Sequence, residues 1–245
     1  VRELAPAVDG FLVGSSLMAM DNNQYNDIDL ACRKLIFGEN KVCGLTAPEY
    51  ATAAAESGAR FGGLIFAEKS PRAITKDQAI SIVNTKPYLD YVGVFVNHQI
   101  TEIIDLVKSL NLYAVQLHGN EDEAYISELK AKLSENNCNH CDLWQAKPVL
   151  NNVPDLSENV AHHVLDGKSP GSGEAFDWQI LSTSEQDLSA SFLAGGLNND
   201  NIQLALKQLT QLDLFGLDLN SGVERSPGIK CSEKLSQIFA QIRNY

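Results

Sequence analysis

The residues that could do chemistry fall into two groups. The first is a thiol: Lys41-Val42-Cys43-Gly44-Leu45-Thr46 is a short apolar run carrying a cysteine, broken by glycine and followed by a helical pattern after Pro48. A strand that delivers a thiol to a strand-to-helix loop suggests chemistry, although a cysteine taken alone is more often a small buried hydrophobe. The second group is rich in glycine. Pro170-Gly171-Ser172-Gly173, Gly195-Gly196 and Ser221-Gly222 each follow an apolar run, and glycine lets backbone N–H groups approach a phosphate closely. Arg72, Asn97, His118, Asp166 and Asp218 stand near the ends of other such runs. The chain thus offers a phosphate site on one side and a thiol on the other. Cys138-Asn139-His140-Cys141 invites a zinc reading. Structural zinc takes four ligands, usually two separated pairs, and no second pair of matching spacing occurs, so a polar loop and no metal are expected.

Something must bring these residues together, and the alternation of patterns says what. Strand signals at 41–46, 62–66, 91–96, 114–119, 143–146, 162–166, 192–194 and 214–218 are interleaved with helical patterns at 48–57, 75–84, 100–110 and 121–133 and from 201 and 232. Strands separated by helices imply right-handed parallel crossovers. Eight such units in about 200 residues predict an α/β fold, a closed (β/α)8 TIM barrel, with a doubly wound open sheet as the alternative. In a barrel the active-site residues lie where strands end and the following loops begin, which is where the polar and glycine-rich positions fall. His162 and His163 open a strand at the opposite end and are expected to be structural.

Residues 1–40 stand outside this pattern. A strand at 8–16 and a helix at 28–37 stopped by Gly38 make one βα unit, which cannot bury both faces alone. It reads either as a remnant of a preceding domain or as an extension packed on the barrel. As no candidate site residue lies there, residues 1–38 are expected to be dispensable for activity.

Composition narrows the classes. The chain has 245 residues, 44% hydrophobic and 20% charged, and contains no apolar run long enough to span a bilayer. Its net charge of -12 argues against a nucleic-acid partner, since phosphate backbones are held by clustered Lys and Arg. A phosphate ester would have to be held by local devices against the global field. Five scattered cysteines do not form a disulfide framework and fit a reducing compartment, so a cytoplasmic setting is expected. The start at Val1-Arg2-Glu3-Leu4 has no signal-peptide pattern and no initiator methionine, as for a piece of a longer chain.

In order along the chain, Lys41-Val42-Cys43-Gly44-Leu45, Gly63-Leu64-Ile65-Phe66, Ser70-Pro71-Arg72, Val92-Gly93-Val94-Phe95, Gln116-Leu117-His118-Gly119-Asn120-Glu121, Leu165-Asp166, Phe176-Asp177-Trp178, Leu193-Ala194-Gly195-Gly196-Leu197 and Ser221-Gly222-Val223-Glu224 resemble phosphoribosylanthranilate isomerase. The resemblance runs from about residue 41 to 245. Gly10-Phe11-Leu12-Val13-Gly14-Ser15-Ser16-Leu17-Met18 is similar to the last strand and helix of indole-3-glycerol-phosphate synthase, which many bacteria fuse upstream of the isomerase. The resemblance therefore implies two parts, a synthase-like remnant at 1–40 and an isomerase barrel at 41–245, from a bifunctional protein of tryptophan biosynthesis.

The implied reaction is an Amadori rearrangement of N-(5'-phosphoribosyl)anthranilate to 1-(2-carboxyphenylamino)-1-deoxyribulose 5-phosphate, with no cofactor. By similarity Asp166 is the general acid at the furanose oxygen and Cys43 the general base at C2. The acid needs a raised pKa and the base must work as thiolate. Arg72 resembles the arginine that meets the anthranilate carboxylate. His118 either orients substrate or caps the strand end. The phosphate is implied to lie on Gly171, Ser172, Gly173, Gly195, Gly196, Ser221 and Gly222. One departure is Pro170, where the family usually has glycine and where proline has no N–H to donate. Two rival readings are a non-catalytic barrel kept as a scaffold and a metal-dependent epimerase. Retention of Cys43 with Asp166 argues against the first, and the near isolation of His118 argues against the second.

Overall fold

The computed structural model describes residues 24–85, 89–167 and 176–245, with side chains from residue 28 onward. The expected strand at 8–16 lies outside the described residues. Eight parallel strands close on themselves: β1 (Lys41–Val42), β2 (Phe61–Ile65), β3 (Asp90–Phe95), β4 (Ala114–Leu117), β5 (Asp142–Pro148), β6 (His162–Asp166), β7 (Ser191–Leu193) and β8 (Gly216–Leu219), which pairs with β1. Closure removes the open-sheet alternative. Each strand has barrel interior on one face and helices on the other, so all five residues of β2 are buried and the strands read as apolar runs. The β1 ladder is short, yet the Cys43 N–H donates to the Leu219 carbonyl at 2.8 Å and the Leu45 N–H to that of Gly63 at 3.0 Å. The cysteine is thereby held extended between β8 and β2.

Helix α1 (Gln24–Phe37) precedes the barrel, α2 (Pro48–Ser57), α3 (Lys76–Asn84), α4 (Ile100–Leu110) and α5 (Glu123–Glu135) follow the first four strands, and α6 (Ile202–Gln211) and α7 (Ser232–Arg243) follow β7 and β8. Their ends are set by local chemistry. Thr75 and Gln78 form a reciprocal capping box on α3, and the Asp122 carboxylate accepts the Tyr125 N–H at 2.9 Å. The cap places the α5 start at Glu123, two residues after the pattern in the sequence. Residues 149–161, between β5 and β6, contain no helix, and a 3-10 helix (Trp178–Thr183) stands before β7. β8 begins at Gly216 rather than at 214. Asp213 takes a left-handed backbone (φ 50°) and the Leu214 N–H donates to the Leu209 carbonyl at 3.0 Å, so Leu214 closes the turn after α6.

The core has two layers. Outside the barrel wall Leu64, Phe95, Val115 and Leu117 pack on residues such as Ile103 and Leu129 of α4 and α5. Inside, Phe61, Trp144 and Phe192 fill the end where strands begin, their rings 4.8–5.9 Å apart. His162 sits against Trp144, Phe192 and Phe215, a structural placement. Among the described residues the interior is thus plugged from below and open at its upper end.

Helix α1 packs on this body. Gly58 leaves room for the Phe37 ring, which meets Phe239 of α7 edge-on at 5.8 Å, and Arg33 Nη1 donates to the Ala59 carbonyl at 3.0 Å. Asn40 then ties the segment to the barrel, its amide donating to the Phe37 carbonyl at 2.6 Å while its oxygen accepts the Leu217 N–H at 3.1 Å.

Candidate active site

Side chains on alternate positions of a strand face the same way, so Lys41 and Cys43 both enter the barrel, as do Gln116 and His118, and Asp218 and Asn220. At the upper end they meet a cavity of about 380 Å³ lined by Cys43, Arg72, Gln116, His118, Asp166 and Asp218, with Gly195, Gly196 and Ser221 on its glycine-rich side. That volume suits a small-molecule ligand. Asn97 is not among the lining residues. Its backbone is left-handed (φ 52°) and its Oδ1 accepts the Asn120 N–H at 2.9 Å, a staple between two loops.

Asp166 ends β6. Burial raises its carboxyl to about 6, and the negative charge of Asp218 adds to this, while a 2.7 Å hydrogen bond from the Gly167 N–H to Oδ1 and the Lys41 ammonium act the other way. With Oδ1 engaged, Oδ2 is the oxygen left to carry a proton. The space beside it depends on Gly195, whose φ of 81° disfavours a side chain and where a Cβ would stand 2.8 Å from Asp166 Oδ1.

Cys43 is nearly enclosed. Burial pushes its thiol above the ordinary value, Lys41 pulls it down through its charge and a hydrogen bond, and Asp218 raises it again. Lys41 is fully buried, with Nζ 2.7 Å from Asp218 Oδ2. Burial works to lower its pKa, but Asp218 and Cys43 outweigh it, so the amine stays an ammonium. Asp218 Oδ1 and Gln116 Oε1 are buried and accept no hydrogen bond from a described residue. His118 is held by its backbone N–H donating to the Phe95 carbonyl at 2.8 Å, and burial lowers its pKa, with Lys41 assisting against Asp218 and Glu121. Its ring is a neutral donor or acceptor at the cavity wall.

Arg72 also lines the cavity, but its fork is engaged. Nε donates to Glu224 Oε1 and Oε2 at 2.9 and 3.1 Å, and Nη2 to Oε2 at 2.8 Å. On the glycine-rich side, the backbone N–H groups of Gly195, Gly196 and Ser221 donate to no described residue. Gly222 does not line the cavity; its Cα lies against the Leu197 carbonyl, where no side chain fits. Residues Ser221–Val223 form a single 3-10 turn rather than a longer helix with a dipole of its own. Gly171, Ser172 and Gly173, with Pro170, lie outside the described residues. Among the described residues no group of three or more His, Cys, Asp or Glu side chains is gathered as a metal site, and Cys138 and Cys141 are buried while His140 is exposed.

Residues 40–241 match the family described as N-(5'phosphoribosyl)anthranilate (PRA) isomerase. The chain belongs to this family. Over its whole length it is 46% identical to a tryptophan biosynthesis protein TrpCF of Vibrio cholerae and 47% identical to that of Vibrio parahaemolyticus, covering 50% and 48% of those proteins. It thus spans about half the length of the curated relatives it matches. Among solved structures, the phosphoribosyl anthranilate isomerase of Thermus thermophilus is 31% identical, with a TM-score of 0.71 over 83% of this chain and 98% of that one. A phosphoribosyl anthranilate isomerase in complex with reduced 1-(o-carboxyphenylamino)-1-deoxyribulose 5-phosphate is 29% identical, with a TM-score of 0.65 over 84% and 99%.

The isomerase fold brings Cys43, Arg72, His118 and Asp166 to one cavity, as the sequence led one to expect. Lys41, Gln116, Glu224 and Lys230 had not been singled out. The first two share a strand face with Cys43 and His118, so a period-two reading backward from those residues would have found them. Glu224 and Lys230 belong to a hairpin of β9 (Glu224–Ser226) and β10 (Ile229–Lys230), which carries no periodic signal.

Proposed function

We propose that this chain is the isomerase part of a fused cytoplasmic enzyme, with an indole-3-glycerol-phosphate synthase domain upstream, and that it converts N-(5'-phosphoribosyl)anthranilate to 1-(2-carboxyphenylamino)-1-deoxyribulose 5-phosphate. The observation that carries the reading is the presence of Cys43 and Asp166 on one cavity, with the Lys41–Asp218 ion pair between them in charge. Asp166 Oδ2 gives a proton to the furanose oxygen and the ring opens to an iminium. Cys43 takes the proton from C2, and the enolamine that results ketonises. A carboxyl near 6 has enough of its acid form near neutral pH to do the first step, and the ammonium of Lys41 stabilises the thiolate needed for the second.

Burial raises the Cys43 thiol above its ordinary value whereas Asp166 stands at about 6, so near neutral pH the thiol holds its proton more firmly than the carboxyl, and the reaction calls for the reverse order. Substrate displaces water from Asp166 and adds a phosphate anion nearby, both of which favour the uncharged carboxyl. We assign the phosphate to the N–H groups of Gly195, Gly196 and Ser221, which donate to no described residue, the anthranilate carboxylate to Arg72, and the sugar to the side of the neutral His118 ring. The test is turnover of freshly prepared phosphoribosylanthranilate, followed as loss of anthranilate-type fluorescence. A folded protein that leaves the signal at the uncatalysed rate is a barrel without this activity.

A further inference from the structure

We infer that Glu224, supported by Lys230, is a positioning residue that fixes the guanidinium of Arg72 so that only its outer edge meets a substrate carboxylate. The inference rests on the proposed role of Arg72 and adds what sets its direction. Glu224 is 5% exposed, and both of its oxygens accept from Arg72, so the Nε–Nη2 edge is occupied. Nη1 donates to no described residue, and Arg72 lines the cavity. A carboxylate arriving from the cavity therefore finds the Nη1 end of the fork.

The arrangement is braced on every side. Lys230 Nζ is surrounded by three acceptors, Glu224 Oε1 at 2.8 Å, Asn220 Oδ1 at 3.0 Å and the Asn220 carbonyl at 3.2 Å, a set that only the ammonium form satisfies with three protons. The Gly228 N–H donates to Glu224 Oε1 at 3.2 Å, and the Gly228 carbonyl accepts from Thr46 Oγ1 in the loop after Cys43. The stem of Arg72 crosses Gly44, where φ is 72° and a Cβ would lie 2.8 Å from Arg72 Cδ and 2.9 Å from Asn220 Oδ1. The residue next to the thiol is thus shaped to let this arginine pass. Two cations surround one carboxylate, which leaves a single positive charge uncompensated at the cavity wall. A stabilising salt bridge alone would be neutral; an excess of one charge with one free edge is what a monocarboxylate needs.

The test compares two substrates, N-(5'-phosphoribosyl)anthranilate and its aniline counterpart lacking the carboxylate, with consumption of each followed by chromatography. Glu224→Gln keeps the shape of the side chain but removes the charge that holds the fork. The expected result is a rise in KM of about tenfold or more for the anthranilate substrate, with KM for the aniline substrate and both kcat values changed by less than about threefold. An equal effect on both substrates, or none, overturns the inference, since a merely structural role cannot sense the carboxylate. Arg72→Met is run beside it. If that variant also fails to discriminate, the carboxylate reading of Arg72 falls; if it discriminates and Glu224→Gln does not, only the positioning role falls. Should Glu224→Gln not fold, Glu224→Asp retains the charge but is too short to hold both N–H groups, and the same selective rise in KM is expected, with a non-selective one refuting it.

Discussion

Replacing Lys41 with methionine removes the charge on which the interior of the site depends. In the native protein Lys41 Nζ lies 2.7 Å from Asp218 Oδ2, with the lysine side chain fully enclosed and the aspartate side chain 8% exposed. Asp218 Oδ1 already accepts nothing from a described residue. Methionine fits the volume, so the cost is that of a buried carboxylate left without its partner, about 3–5 kcal/mol. In a chain of this size about 2–4 °C is lost per kcal/mol, which predicts a Tm lower by about 6–20 °C at pH 8. The thiol is affected too: without the ammonium its pKa rises further, and each unit removes about tenfold of the thiolate. Calorimetry and turnover should therefore separate in the double variant Lys41→Met/Asp218→Leu, which regains most of the Tm, since an apolar pair of similar volume is tolerated where a single charge is not, but regains none of the activity. A Lys41→Met protein melting within about 2 °C of wild type at pH 8 would refute the coupling.

Cys43→Ala and Asp166→Asn should each lower kcat by at least about a hundredfold with little change in Tm, because each removes a proton carrier; near-normal turnover by either would break the assignment. The proposed mechanism needs protonated Asp166 together with ionised Cys43, so kcat/KM should fall as pH drops below about 6 and again above the raised thiol value, and stay level between; a decline beginning near pH 7 on the alkaline side would contradict this. Gly196→Ala, at φ 65°, should raise KM more than it lowers kcat, with inorganic phosphate competing against substrate, while Gly222→Val should lower Tm as well because its side chain meets the Leu197 carbonyl. Removing residues 1–38 deletes Phe37 and Arg33 from their contacts with α2, α7 and the Ala59 carbonyl, so a Tm loss of several degrees or outright aggregation is expected by differential scanning fluorimetry; a truncated protein as stable as the parent would make this packing incidental.

The barrel was legible because its strands are buried on both faces and helices such as α3 and α5 start at capping residues, so these elements carry a local signal. What local signals miss are pairings. Leu214 looks like the first residue of a strand, and only the left-handed turn at Asp213 shows that it ends a helix. The site divides in the same way. Cys43, Arg72, His118 and Asp166 fall at strand ends or in the loop after a strand, where a barrel exposes them. Lys41 lies inside a strand and is a lysine, a residue type almost never fully buried unless paired, and its partner is 177 residues away. Glu224 is 152 residues from Arg72. Nothing in either neighbourhood distinguishes a buried cation or carboxylate from a solvated one until the closed barrel brings the two together.

Charge shows how far the site departs from the chain that carries it. The whole sequence has a net charge of -12, so its field repels a substrate bearing both a phosphate and a carboxylate. At the cavity the charges come close to balance instead: the Lys41 and Asp218 charges cancel, and the one positive charge by which Arg72 and Lys230 exceed Glu224 is opposed by Asp166, whose carboxyl, at about 6, is largely ionised at neutral pH. Beyond about 8 Å the repulsion is screened at physiological ionic strength, whereas the buried groups act at hydrogen-bond distance where salt does not reach. Attraction is therefore felt only after the ligand has entered the barrel mouth. On the proposed reading the site discriminates by the position of two anionic groups rather than by total charge, one at the backbone N–H groups of Gly195, Gly196 and Ser221 and one at the Nη1 edge of Arg72. Cys43 and Asp166 line the same cavity, and the proposed reading sets the sugar that links those anions against them.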